Sequence, residues 1–249
     1  MRFDQISLRQ RERGLLAGGT GTGKSALAEL LGRDFVARYR GAGGRRLILD
    51  SKPRFRPRWE VNGLTADPRY VRWSHGQSVP DSVLVQRPQD LRFGLQRHAT
   101  AIAQGESQAD VPRLLAIARQ FLRESRANRP QLLQVDETLD FFHGNGMPRG
   151  GDDVLVTVAR AGRERGTGAL YCTQRVKGIP IQLIEHLSRL YLFSFDVGAD
   201  VKFLYSCGLP EGTAAPEQDH AFRYWTKADR KTVWGPYVLD AAWVRAVGA

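Results

Sequence analysis

An α/β fold, with a largely parallel central sheet flanked by helices and a phosphate-binding loop at a strand end, is what this sequence predicts. Three observations carry that expectation. Residues 18–25 spell a complete Gly-x-x-x-x-Gly-Lys-Ser loop. Short apolar runs alternate with helix-forming stretches along most of the chain. A further apolar run, 131–135, closes on two acids, Asp136 and Glu137.

The loop sits where its chemistry requires. Leu15, Leu16 and Ala17 form a short apolar run ahead of it, and the good helix formers of 26–31 follow. Gly18, Gly19, Gly21 and Gly23 let successive backbone N–H groups turn inward as a nest for β- and γ-phosphates. Thr20, Thr22 and Ala26 complete the expected nucleotide-contacting stretch. Lys24 is placed to reach the terminal phosphates, and the Ser25 hydroxyl to ligate Mg²⁺. The helix behind the loop points the positive end of its dipole at the same spot. A glycine-rich turn matching by chance is the alternative, and the strand and helix on either side weigh against it.

The 249 residues suffice for one α/β domain with a substantial core. The sequence divides into an expected ATPase core, 1–210, and a segment 211–249 read as a β-hairpin and short helix packed on it. Hydrophobic content of 42% and charged content of 25% are ordinary for a globular protein. No window approaches the roughly 20 apolar residues that span a bilayer. The charged residues 1–13 lack the apolar core of a secretory signal. Cys172 and Cys207 are too few for a disulfide framework or zinc site. A cytoplasmic location follows as the expectation. The net charge of +11, carried mostly by arginine, predicts attraction to a polyanion. Arginines spread over solvated faces are the alternative.

Further along, 46–50 reads as a buried strand, and 52–59 as a surface loop rich in proline and arginine. Short strands are expected at 70–73 and 82–85. Helices are expected over 91–103 and 111–125, divided by a polar turn at 104–110. The strand 131–135 ending in Asp136-Glu137 has the Walker B arrangement. Asp136 is expected to hold Mg²⁺ through its water shell, and Glu137 to polarise the water that attacks the γ-phosphate. That second acid points to ATP hydrolysis rather than a nucleotide kinase, and no Asn-Lys-x-Asp base-reading motif of a GTPase is present.

Another strand, 168–172, ends in Thr173-Gln174-Arg175. At a strand tip beside the Walker strand, the Gln174 amide is placed to sense the γ-phosphate or the attacking water. The arginine-rich stretch before it, 158–166, is able to place a guanidinium in a neighbouring subunit's site, since the planar fork matches phosphoryl oxygens and stays charged. Surface cations at a helix C-terminus are the other reading of these arginines. Residues 221–240 alternate aromatic and polar residues in two runs, as a β-hairpin does, with a helical turn expected near 241–247.

Taken in order, these motifs resemble the FtsK/HerA superfamily of P-loop DNA-translocating ATPases. The likeness rests on Gly-Gly-Thr-Gly-Thr-Gly-Lys-Ser (18–25), Leu-Asp-Ser-Lys (49–52), Val-Asp-Glu (135–137), Arg-Gly (165–166) and Cys-Thr-Gln-Arg (172–175). It extends over Leu-Ser-Arg-Leu-Tyr-Leu-Phe (187–193) and Ala-Asp-Val-Lys-Phe-Leu (199–204), so it covers about 14–210. The resemblance implies a RecA-like P-loop NTPase that uses ATP and Mg²⁺. Lys24, Ser25, Asp136, Glu137 and Gln174 take the ATPase roles, and Arg163 is the leading candidate for an arginine finger acting in trans. It also implies a homo-oligomeric ring, a hexamer, on double-stranded DNA. Relatives usually carry Thr-Gln-Arg-Pro where this chain has Val176 and reaches proline only at Pro180. The compact motif set looks like the genome-packaging ATPases of tailless, membrane-containing viruses. For those, a capsid or vertex protein is the expected docking partner, and the host cytoplasm or the virion the expected place. A conjugative or plasmid DNA-transfer ATPase and a non-motor, nucleic-acid-binding ATP switch are the alternatives.

A translocating ring needs cations that follow the phosphate backbone without reading bases. Two loops offer them. One holds Lys52, Arg54, Arg56 and Arg58 interleaved with Phe55 and Trp59; the other, 143–151, is rich in glycine and carries Arg149. Both are also readable as exposed linkers.

Overall fold

The computed structural model describes residues 3–51, 81–143, 146–149, 153–195, 198–218 and 220–239. A short helix, α1 (Phe3–Ile6), leads into β1 (Arg13–Ala17), and the phosphate loop connects β1 to α2 (Lys24–Arg38). Then come β2 (Arg45–Asp50), β3 (Ser82–Leu84), α3 (Pro88–Arg97), β4 (Thr100–Gln104) and α4 (Val111–Arg123). The second half holds β5 (Gln131–Val135), α5 (Val154–Ala161), β6 (Thr167–Thr173), α6 (Ile181–Glu185), β7 (Arg189–Phe193) and α7 (Gly198–Ser206). A hairpin, β8 (Ala221–Thr226) and β9 (Asp229–Val238), ends the described chain.

Among the described residues these strands form one sheet in the order β3-β4-β2-β5-β6-β1-β7-β8-β9. Strands β3 to β7 on this path are all parallel to their neighbours, and β8 and β9 join antiparallel. The sequence predicts such a sheet because its core strands are apolar at nearly every position, and β1, β4, β5, β6 and β7 are buried throughout. Alternate residues feed opposite faces, as strand geometry dictates. Leu15, Ala17, Leu133, Val135, Ala169 and Tyr171 pack with α3, α4, α5 and α6, whereas Leu16, Leu132, Leu170 and Cys172 pack with α1 and α2.

The helix expected over 91–103 is instead α3 followed by β4. The helix ends where His98 adopts an extended conformation, φ −128° and ψ 148°. Thr100-Ala-Ile-Ala-Gln then enters the sheet between β3 and β2. A short run buried on both faces has no twofold alternation, so pattern alone does not separate it from helix. The strand expected at 70–73 and the turn at 241–247 lie outside the described residues.

The C-terminal hairpin extends the sheet rather than standing apart from it. Residues Arg189 to Phe193 pair with Thr226 to Phe222. An aromatic ladder crosses the seam: Tyr191 to Tyr224 at 5.3 Å between ring centroids, Phe193 to Phe222 at 5.5 Å, Tyr224 to Trp234 at 5.6 Å. Such pairs add about 0.5–1.5 kcal/mol each beyond area burial. Arg189 ties the same seam down, donating to both Glu12 carboxylate oxygens at 2.6 and 2.9 Å. Burial lowers its pKa, but the Glu12 hydrogen bonds, the neighbouring Tyr191 and Tyr224 and the Glu12 charge together outweigh that and raise it.

One ion pair is buried between α2 and the sheet. Arg46, 1% exposed, donates to Glu29 Oε2 at 2.5 Å and to Gln134 Oε1 at 2.6 Å. Glu29 also accepts from Arg33 at 3.1 Å. Gly32 makes room for this, since a Cβ there would collide with the Arg46 guanidinium.

Candidate functional site

Parallel strands bring their C-terminal ends to one edge of the sheet, where the connecting loops gather. Strand β6 lies between β1 and β5. The phosphate loop after β1, the Gln174 tip after β6 and the acids after β5 are therefore consecutive neighbours along that edge.

The loop is fastened from both sides. Gly18 N–H donates to Thr173 O at 3.2 Å, and Gly19 N–H to Ser194 O at 2.6 Å. Gly18 has to be glycine by contact: a Cβ would sit 2.5 Å from Phe193 Cβ and 2.8 Å from Ser194 O. Gly23, at φ 101°, takes the left-handed turn that starts α2. The Thr22 hydroxyl donates to Gly19 O at 2.9 Å, and the Lys24 ammonium, 6% exposed, donates to the same carbonyl. Lys24 thus lies folded along the inside of the loop. Thr20 and Gly21 form the exposed rim, and Ala26 sits in the first turn of α2.

Around the loop the remaining expected groups converge. Ser25 Oγ donates to Asp136 Oδ1 at 3.1 Å, although the two stand 111 residues apart in sequence. A hydroxyl and a carboxylate oxygen this close are hard donors within reach of one small cation, the set that suits Mg²⁺. Among the described residues no cluster of three His, Cys, Asp or Glu side chains is able to hold a metal alone. Asp136 and Glu137 are nearly buried, and Glu137 Oε1 accepts from the Gln174 backbone N–H at 3.2 Å. The Gln174 side chain accepts from the Thr20 hydroxyl at 3.0 Å. Gln174 therefore bridges the rim of the phosphate loop to the carboxylate.

A residue that sequence reasoning missed holds the next loop in place. Asp200, in the first turn of α7 and 1% exposed, accepts from the backbone N–H groups of Val176 and Lys177 at 2.8 and 2.9 Å. Its other oxygen lies 3.7 Å from Arg175 Nε. The only sequence signal was an aspartate in a helix first turn; that it reaches back 24 residues is a tertiary fact.

Arg163 stands elsewhere. It is exposed in the turn between α5 and β6, at the N-terminal end of β6 and thus at the opposite edge of the sheet from its own phosphate loop. Its charge lies near enough to Arg13 to help burial lower that residue's pKa. Of the expected DNA-contacting residues, Lys52, Arg54, Arg56 and Arg58 lie outside the described residues. Arg149 is half-buried, its Nε without a hydrogen-bond partner among the described residues. It belongs to a turn in which His143 N–H donates to Met147 O at 2.7 Å, and in which Gly146 lies beside Gly178 and Pro180 of the loop after Gln174.

The loop, the strand order and the acids define a RecA-like P-loop nucleotide-binding fold. No family model matches the chain, and no curated protein matches it. Solved structures do resemble it. The genome-packaging NTPase B204 of Sulfolobus turreted icosahedral virus 2, in complex with sulfate, superposes with a TM-score of 0.61 at 12% identity, covering 94% of this chain and all of that one. The same protein in complex with ATP-gammaS gives 0.61 at 12%, covering 93% of this chain and all of that one. ATPases 2 and 3 of EssC from Geobacillus thermodenitrificans give 0.59 at 14%, covering 95% of this chain and 42% of that one. The fold is therefore the one that the sequence resemblance implied. Among the described residues no helix is long and apolar enough to cross a membrane.

Proposed function

We propose that the chain is an ATP- and Mg²⁺-dependent double-stranded DNA translocase of the FtsK/HerA superfamily, working as a homo-oligomeric ring, a hexamer, to package a viral genome at a capsid vertex. The observation that carries the ATPase part is the continuous contact from Thr20 through Gln174 to Glu137, beside the Ser25–Asp136 pair. The genome-packaging role is supported by the fold shared over the whole length of B204, a genome-packaging NTPase.

In this reading the loop N–H groups and Lys24 bind the β- and γ-phosphates, and Lys24 leaves Gly19 O to do so. Ser25 and Asp136 hold Mg²⁺, which when bound neutralises charge developing on the phosphoryl oxygens. Glu137 orients the attacking water and accepts its proton. Gln174 reports the γ-phosphate: when that group draws on its amide, the Thr20 contact and the loop pinned by Asp200 respond together. Arg163 faces away from its own site, which suits a residue that completes a neighbour's. The test is ATP turnover with and without double-stranded DNA, together with the mass of the assembly. DNA-stimulated turnover by an oligomer, with displacement of a strand or roadblock from the duplex, is the expected result. A monomer whose turnover ignores DNA would refute the motor.

A further inference from the structure

A second basic site lies at the other edge of the sheet. Arg45 opens β2 there, and Arg126 and Arg129 flank the turn that leads into β5. With Arg92 of α3 and Arg123 at the end of α4 they line an open groove of about 480 Å³. Five strand steps of about 3.3 Å separate Arg45 from Asp50, so the groove stands roughly 17 Å from the level of the phosphate loop. It is not part of the nucleotide site.

Five cations face a single acid there. Glu124 is the one acid in the lining, and it already accepts from Gln120 Nε2 at 2.8 Å. None of the five arginine side chains has a hydrogen-bond or ion-pair partner among the described residues. Burial and then the nearby Arg129 charge lower the Arg45 pKa, Glu124 offsetting only part of this, so the net effect is a cost that an anion would relieve. Folding does not require such a cluster. Beside the groove Phe93 is 58% exposed on α3, and the Arg97 guanidinium stacks on its ring at 4.4 Å. A planar, partly apolar surface next to a row of guanidinium forks matches a sugar–phosphate backbone better than an acidic peptide, which presents carboxylates but no rings or sugars.

We infer that this groove is a second phosphate-binding surface, which takes the backbone of duplex DNA without reading its bases. It rests on the translocase reading above and adds to it a contact distant from the nucleotide site. A subunit would then grip DNA at the edge opposite its ATP, and movement of the sheet between nucleotide states would shift that grip.

The experiment titrates the full chain against a labelled 30-base-pair duplex over a range of salt concentrations. The groove variant is Arg92→Ala/Arg123→Ala/Arg126→Ala. A variant of equal charge change, Lys202→Ala/Arg230→Ala/Lys231→Ala, removes exposed cations of α7 and β9. Each released phosphate contact contributes about 0.9 to the slope of log affinity against log salt, so the groove variant should lose about 2–3 from that slope. Its affinity near 0.1 M salt should fall on the order of 10²-fold. The control variant should keep the wild-type slope, and Arg→Lys at the three groove positions should keep most of it. Unchanged thermal unfolding and ATP-gammaS binding verify that the groove variant is folded. Equal slopes for wild type and groove variant overturn the inference and leave the translocase reading standing. Loss of poly-glutamate binding with unchanged DNA binding also overturns it, making the groove a dock for an acidic protein. A wild-type chain that binds no duplex at any salt overturns the translocase reading itself.

Discussion

Asp200→Ala gives the sharpest test of how the loop after Gln174, the proposed sensor, is held. The carboxylate is 1% exposed and accepts two backbone N–H groups. A hydrogen bond to a charged group contributes about 1.5–3 kcal/mol. The Val176 donor is buried and loses its partner outright, whereas Lys177 is exposed and its N–H is taken up by water. The Arg175 pair counts for little, because that side chain is 55% exposed. Together these give a loss of about 3 kcal/mol, most of it from Val176. For a chain of this size 1 kcal/mol moves the melting temperature by about 2–4 °C, so a fall of about 6–12 °C is expected. Asp200→Asn keeps an acceptor oxygen but no charge and should lose roughly half as much. Turnover carries the functional signature. A loosened loop misplaces Gln174 and Glu137, so kcat should drop on the order of 10-fold while ATP affinity holds, and Asn should recover part of it. Scanning calorimetry and steady-state ATPase assays measure both. An alanine variant that melts within 2 °C of wild type at unchanged kcat would show that Asp200 does not position the sensor.

Lys24→Ala should abolish ATP binding by removing the cation inside the loop. Glu137→Gln should keep binding and lose about 10²–10⁴-fold in turnover, because the proposed metal ligand Asp136 is untouched; fluorescent-nucleotide titration and phosphate release separate the two, and normal turnover in Glu137→Gln would sink the assignment. Arg163→Ala should lose on the order of 10³-fold in turnover with ATP affinity kept. Mixing it with Glu137→Gln subunits should restore some activity, since some interfaces then pair an intact glutamate with an intact arginine; mixtures that never recover would move the finger to the exposed Arg160 or show that the sites fire in strict concert, Arg189 being held on Glu12. Arg46→Ala should cost about 3 kcal/mol, because the buried Glu29 then keeps only Arg33 and Gln134 Oε1 loses both its Arg46 donors, while Arg46→Met with Glu29→Leu should regain part of it; urea unfolding of both variants decides.

The sequence disclosed what is local. The phosphate loop was readable because glycine, lysine and serine at fixed spacing satisfy one set of phosphate contacts, and few other structures demand that spacing. The hairpin was readable because two runs rich in aromatic residues, around Phe222–Trp225 and Trp234–Tyr237, are divided by the polar stretch Lys227-Ala228-Asp229-Arg230. Elements whose identity depends on where they pack were not. Strand β4 needed the flanking strands β3 and β2 to make Thr100-Ala-Ile-Ala-Gln extended. α1 and α6, at four and five residues, are too short to show a helical period. The contact from Asp200 to Val176 and the clearance that Gly32 gives Arg46 belong to neither partner's local sequence. The full order of strands was also hidden, although the sequence already put Gln174 at a strand tip beside the Walker strand, where β6 lies between β5 and β1.

That order has a consequence for the proposed ring. Every strand from β1 to β7 points the same way, so the chain has one edge carrying the proposed nucleotide site and an opposite edge carrying Arg163 and the arginine groove. A side chain at the second edge lies roughly 17–20 Å from the first, farther than an arginine extends. Arg163 is therefore unable to act on the ATP bound by its own chain, whatever its rotamer. If it contributes to hydrolysis at all, the catalytic unit is an interface, and isolated subunits must be slow even with every Walker residue intact. Dilution supplies the measurement: specific ATPase activity should fall as the assembly dissociates, and the Arg163→Ala protein should show no such dependence. Wild-type activity that stays constant per chain through dissociation would place all of the catalysis at one edge and leave Arg163 a surface cation.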